Sequence, residues 1–236
     1  MAQLSREIFP VIKLSGSAEE IGFEHGRLLA GRIERCWAFY ERIIGAPRSE
    51  LQRLALTFAN QIRAFSADYA DEIEAISAGA GLPSWQIYAL NSRTELIRML
   101  KRKEPAPVPG ECTALYFPET NILGQTWDWA LELLSLTVIM EITRPGKPRI
   151  IQITEPGIIG KIGLNSCGVG VSLIILRAPL NQVGVPVHIL LRAVLDSNTT
   201  AEALQRLSSA PLGTMGHLCI ADRGGNCAPI EIAGSA

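Results

Sequence analysis

A chain of 236 residues with 22 Lys and Arg against 23 Asp and Glu, a net charge of -1 and 47% hydrophobic residues has the make-up of a globular protein of one large or two small domains. The near-neutral balance argues against phosphate-driven nucleic-acid binding, and the apolar stretches at 131–140 and 169–176 reach about half the length that a membrane span needs. No long apolar region follows a basic start at the amino terminus, so no secretory signal is expected and a cytoplasmic location is.

Ser17 followed by Glu20 forms a capping box, and Ile21, Leu28, Leu29, Ile33, Trp37, Tyr40 and Ile44 then recur at helical spacing up to Gly45. Gly22, Gly26 and Gly31 interrupt this helix at about 1 kcal/mol each relative to Ala, which implies that another backbone packs closely there. Further helices are expected at 51–65, 69–78 and 85–100. Three alternating prolines in 101–111 disfavour helix and mark an exposed, extended linker. It divides the chain into a helical segment, 1–111, and a second segment, 112–236. Runs rich in Val, Ile, Thr and Tyr at 112–117, 122–130, 136–143, 149–154 and 162–176 predict a strand meander, the last run with a turn inside it. Helices are expected at 188–196 and, capped by Thr199 or Thr200, at 202–207, before strands at 217–222 and 228–233. Blocks of helices and of antiparallel strands in this order predict an α+β layered fold.

Five cysteines, an odd count with no C-x-x-C pair, predict no disulfide framework, and the dispersed His25, His188 and His217 show no metal-ligand spacing and are expected to be structural. Phosphate-loop, dinucleotide and serine-nucleophile motifs are absent from the sequence. Cys112 opens the first strand after the linker. A buried core cysteine is one explanation. The other follows from its place: were the Glu111–Cys112 bond broken, a free α-amine, titrating near 7.7 to 8.0, would lie next to a thiol. Such a residue supplies both nucleophile and base, and needs no histidine.

The blocks ECTALYF, GQTWDW, ITEPGIIGKIGLNSCGVGVSL and GVPVHILLRAVLDS, in this order, resemble those of the acyl-coenzyme A:6-aminopenicillanate (isopenicillin N) acyltransferase family of N-terminal nucleophile hydrolases. The similarity runs from the glycine-bearing helix near Gly22 to the strands near Glu231. It implies an αββα sandwich, and a precursor that cuts itself between Glu111 and Cys112 into an α/β heterodimer. It also implies a thioester acyl-enzyme on Cys112, formed from an acyl amide or acyl thioester, with no metal or organic cofactor. Coenzyme A would enter only as the leaving group of an acyl donor.

Asp128, between Trp127 and Trp129, is expected to lie on a strand facing away from both rings. By composition it is a solvent-facing carboxylate; by resemblance it holds the new Cys112 ammonium. Trp129 is either a core tryptophan or a wall of the acyl pocket. Asn165 is either the residue of a tight turn or an organising group beside the nucleophile that donates to its amine or to an oxyanion. Cys167 matches no reactive position and is expected to be buried. The family pattern continues beyond the strand ending near Ala236 into a T-N-H motif and an arginine, so the catalytic body is expected to be incomplete here. The same machinery would also suit a choloylglycine-hydrolase-like or ceramidase-like N-acyl amidase. A non-catalytic scaffold that keeps the fold is the alternative from another class.

Overall fold

The computed structural model describes residues 9–100, 112–176 and 182–233. The expected linker at 101–111, and Glu111 with it, lies outside the described residues.

The capping box forms as the sequence predicts: Ser17 Oγ accepts from the Glu20 N–H at 3.2 Å, and the Glu20 carboxylate accepts from the Ser17 N–H at 2.8 Å. Helix α1, Ala18–Ile44, ends at Gly45, whose φ of 64° provides a left-handed cap. Its apolar stripe, from Ile21 through Ile33, Trp37 and Tyr40 to Ile44, is buried. Helices α2 (Arg48–Phe65) and α3 (Ala67–Ala80) follow. At Gly22 and Gly26 of α1, an added Cβ would meet the Glu72 and Ile76 carbonyls of α3 at 2.3 and 2.2 Å, and at Gly79 of α3 it would meet the Phe23 carbonyl at 2.1 Å. The two backbones therefore touch. Gly31 does not share this role, because it faces solvent with nothing within 4 Å of such a Cβ. The helix expected at 85–100 is two, α4 (Ser84–Asn91) and α5 (Arg93–Leu100), broken at Ser92, where Oγ donates to the Tyr88 carbonyl at 2.8 Å.

The strands are β1 (Val11–Ser15), β2 (Ala114–Phe117), β3 (Ile122–Gln125), β4 (Val138–Thr143), β5 (Ile150–Thr154), β6 (Gly163–Asn165), β7 (Gly170–Ile174), β8 (Gly216–Ala221) and β9 (Cys227–Ile232), with α6 (Val187–Leu195) and α7 (Thr200–Ser208) between β7 and β8. From β4 to β9, successive strands are antiparallel neighbours in one seven-stranded sheet. Two differences from the expected meander matter. The seventh strand is β1, which precedes α1 and pairs in parallel with β4, from Val11 opposite Ile139 to Ser15 opposite Thr143. The expected first two strands, β2 and β3, form a separate antiparallel hairpin.

That hairpin lies against β7. Because β6 has only three residues, it leaves the Leu173 main chain free on one side, and the Gln125 carboxamide takes both of its groups: Nε2 donates to the Leu173 carbonyl at 2.9 Å and Oε1 accepts from the Leu173 N–H at 2.7 Å. On β4, Val138, Met140 and Ile142 alternate inward and join Ile21, Ile33 and Leu90 in one apolar core. Residues on both sides of the linker thus bury one another. The described elements form a mixed α+β fold.

Candidate active site

Glu155, directly after β5, is fully buried and gathers three partners from distant parts of the chain. Arg93 at the start of α5 donates from Nη2 at 2.9 Å, Lys161 ahead of β6 donates from Nζ at 2.8 Å, and the Tyr40 hydroxyl near the end of α1 donates to the other carboxylate oxygen. Burial alone pushes the Glu155 carboxyl up, but the charges of Arg93 and Lys161 override it and hold the group well below the usual carboxylate range. For Lys161, burial, with Arg93 beside it, outweighs Glu155 and brings the amine down to about 8. His188 on α6 is pushed far below 6.5 by burial and by the same two cations, so it is neutral. The Cys36 thiol on α1 is pushed up by burial and by Glu155.

This cluster carries the segment that holds Asp128. Strand β3 ends at Gln125, so Trp127, Asp128 and Trp129 lie in a loop, not on the strand expected for them. Each tryptophan is seated on a different cation of the cluster. Lys161 Nζ lies 4.7 Å from the Trp127 ring centroid, and the Arg93 guanidinium lies 6.0 Å from that of Trp129. Trp129 Nε1 also donates to the Tyr40 hydroxyl at 3.1 Å, while the ring remains 45% exposed. Asp128 is exposed between them.

Cys112 is half-buried, two residues ahead of β2. A short polar relay joins its neighbour to Asp128. The Thr126 N–H donates to the Thr113 carbonyl at 2.9 Å, Thr126 Oγ1 accepts from the Thr113 N–H at 3.0 Å, and that hydroxyl donates to Asp128 Oδ2 at 3.3 Å. The structure therefore brings the Trp127–Trp129 loop to one edge of the Glu155 cluster and ties its Asp128 to Thr113, the neighbour of Cys112.

Asn165 is not part of this edge. Its Nδ2 donates to the Leu195 and Ser197 carbonyls at 2.8 and 2.7 Å, and its Oδ1 accepts from the Cys167 and Val169 N–H groups, both at 3.0 Å. These four bonds fill the hydrogen-bonding capacity of the carboxamide and staple the β6–β7 turn to the end of α6. They fit the tight-turn alternative and leave no donor for a nucleophile or an oxyanion. Cys167 is half-buried rather than buried, because its Sγ reaches Asn198 Oδ1 at 3.4 Å near the surface. His25 accepts at Nε2 from the Gly157 N–H at 2.9 Å, and His188 Nδ1 lies 3.1 Å from the Gly160 carbonyl, so both brace the loop that carries Glu155 and Lys161.

A groove of about 650 Å³ runs between the hairpin and the sheet, lined by Leu123, Gln125, Ile151, Ile153, Ile162 and Leu164 among others; Cys112, Asp128 and Trp129 do not line it. Glu155, Lys161, Arg93 and Tyr40 were not singled out from the sequence. A signal was present at Lys161, a lone cation inside the apolar run GIIGKIG, because a charge so placed is almost never buried without a partner.

The model of the family described as acyl-coenzyme A:6-aminopenicillanic acid acyl-transferase matches residues 117–235. The chain is also 32% identical over 205 residues to the acyl-coenzyme A:6-aminopenicillanic-acid-acyltransferase 40 kDa form of Emericella nidulans, an alignment covering 84% of this chain and 56% of that protein. The chain thus spans little more than half the length of this curated relative.

Proposed function

This chain belongs to the acyl-coenzyme A:6-aminopenicillanic acid acyltransferase family, and from that premise we propose that it is a self-processing cysteine N-terminal nucleophile enzyme acting on acyl amides or acyl thioesters. The thiol of Cys112 adds to the Glu111 carbonyl, the acyl group passes from nitrogen to sulfur, and water releases it, leaving Cys112 with a free α-amine. In turnover that amine takes the thiol proton, the sulfur attacks the substrate carbonyl, and water or an amine acceptor takes the acyl group from the thioester. Asp128 holds the ammonium, and the exposed face of Trp129 borders the acyl chain.

The observation that carries this proposal is the relay from Thr113, next to Cys112, through Thr126 to Asp128. It ties the one exposed carboxylate of the tryptophan loop to the backbone beside the nucleophile. The division into 1–111 and 112–236, and the αββα sandwich in which the β2–β3 hairpin starts the second sheet, are parts of the same proposal. The pairing of β1 with β4 supports two pieces that stay together after cleavage.

Intact mass under denaturing conditions tests it. Two species summing to the full chain plus one water, the larger beginning Cys-Thr-Ala, are expected from the wild type, and one from Cys112→Ala. A single uncut wild-type species after prolonged incubation, or a cut at another bond, would overturn the proposal.

A further inference from the structure

The β2–β3 hairpin, which follows Cys112 and begins at Ala114, shares no backbone ladder with the seven-stranded sheet. Side chains tie it down instead. At its turn end, Asn121 Nδ2 donates to the Asp222 carbonyl at 3.0 Å, and the Tyr116 hydroxyl lies 3.0 Å from Asn121 Oδ1 and 3.3 Å from the Gly225 carbonyl; Asp222 and Gly225 belong to the turn between β8 and β9. At the open end, nearest Cys112, the tie is Gln125. Its carboxamide spans the N–H and the carbonyl of Leu173 on β7, at 2.7 and 2.9 Å, while its own position in the hairpin is opposite Ala114. The next residue, Thr126, exchanges two bonds with Thr113, the residue joined to Cys112. A fixed Gln125 therefore fixes the main chain up to the neighbour of the thiol.

We propose that Gln125 is a positioning residue for the nucleophile: by clamping the open end of the hairpin to Leu173, it sets the direction from which the Cys112 sulfur meets the substrate carbonyl. This rests on the reading of Cys112 as the nucleophile given above. The side chain is matched to its task, because Leu173 offers one donor and one acceptor and a carboxamide answers with one of each. Glu has the same shape but only acceptors when ionised, so it would turn a negative charge toward the Leu173 carbonyl. Met has similar reach and forms neither bond. Trp129, the proposed wall of the acyl site, is held independently by the Tyr40 hydroxyl and the Arg93 guanidinium. Loosening Gln125 should therefore disturb the line of attack more than the hold on substrate, and a misplacement of about 1 Å is enough to cost on the order of a hundredfold in rate.

The test compares wild type, Gln125→Glu, Gln125→Met and Tyr116→Phe in phenylacetyl-amide hydrolysis, well below their melting temperatures and with kcat expressed per free Cys112 amino terminus, so that only cut, folded enzyme is counted. In both Gln125 variants kcat should fall about ten- to a hundredfold with KM nearly unchanged, the signature of an interaction realised in the transition state. Tyr116→Phe, which loosens the turn end, should keep most of its turnover. Amide hydrogen exchange reads the clamp without turnover: the Leu173 amide and those of 113–117 should exchange faster in both Gln125 variants, with α1 unchanged. Wild-type kcat in both Gln125 variants, an equal loss in Tyr116→Phe, or unchanged exchange at Leu173 and 113–117 would overturn the proposal while leaving Cys112 as the nucleophile. A wild type whose turnover is absent, or survives in Cys112→Ala, would instead overturn the function itself.

Discussion

Asp128 is exposed, yet it is not a free surface carboxylate. Its partner Thr126 is fixed by two bonds to Thr113, and its flanking rings rest on Lys161 and Arg93. If it holds the Cys112 ammonium, Asp128→Asn keeps the shape and removes one charge-assisted bond, so turnover should fall about ten- to a hundredfold. Melting temperature should barely move, because the lost charge faces water. Assaying the variant on a phenylacetyl amide against wild type decides the matter, and unchanged rates would return Asp128 to the ordinary surface. At this scale the sequence was legible where chemistry is local. Cys112 stands out by its place after the prolines, and Asp128 by its tryptophan frame. Glu155 was not legible, because nothing near it in sequence announces Tyr40, Arg93 and Lys161; the fold assembles these partners from residues 40 to 161. Asn165 shows the opposite case, a residue that motif resemblance draws toward catalysis and that four backbone bonds assign to a turn.

Helix α1 was readable from end to end because its signals are its own: the Ser17–Glu20 box, the apolar stripe and Gly45 act within a few residues of one another. Its glycines read alike in sequence and differ in space. Gly26 lies against the α3 backbone, so Gly26→Ala must push the two helices apart and should cost about 2 kcal/mol or more, within the range of overpacked cores. Gly31 faces open solvent, and Gly31→Ala should stabilise the helix by about 1 kcal/mol. Urea denaturation of both variants tests the pair, and equal effects would contradict the α1–α3 contact. Strand β1 escaped the sequence because five residues, VIKLS, carry too short a pattern; pairing with β4 makes them a strand. The Trp127–Trp129 loop was mistaken for strand for a related reason. Aromatic residues favour sheets, but here two cations hold the rings more specifically than a neighbouring strand would.

Across the whole molecule, stability and the site are linked through His25. This side chain reaches from α1 to the loop carrying Glu155 and accepts from the Gly157 N–H at Nε2, which requires that nitrogen to be unprotonated. Burial, assisted by the charge of Arg192, lowers its titration to about 3, against about 6.5 in an unfolded chain. Between those values the unfolded state binds a proton that the folded state refuses. Stability therefore falls as pH drops below 6.5, by about 1.4 kcal/mol per unit from this residue alone. Glu155, held below its unfolded value, adds a further loss below about 4.5, while Glu72 and Glu95, raised by burial, oppose it because the folded state binds their protons more readily. A single acid titration would blend these terms, so the comparison is with His25→Gln, whose carboxamide oxygen can accept from Gly157 without titrating. Urea midpoints measured from pH 7.5 to 5 should fall less steeply in the variant, by about 1.4 kcal/mol per pH unit once below 6.5. Parallel pH curves for the two proteins would show that His25 takes up its proton in the folded state, and that the brace between α1 and the Glu155 loop does not depend on a neutral imidazole.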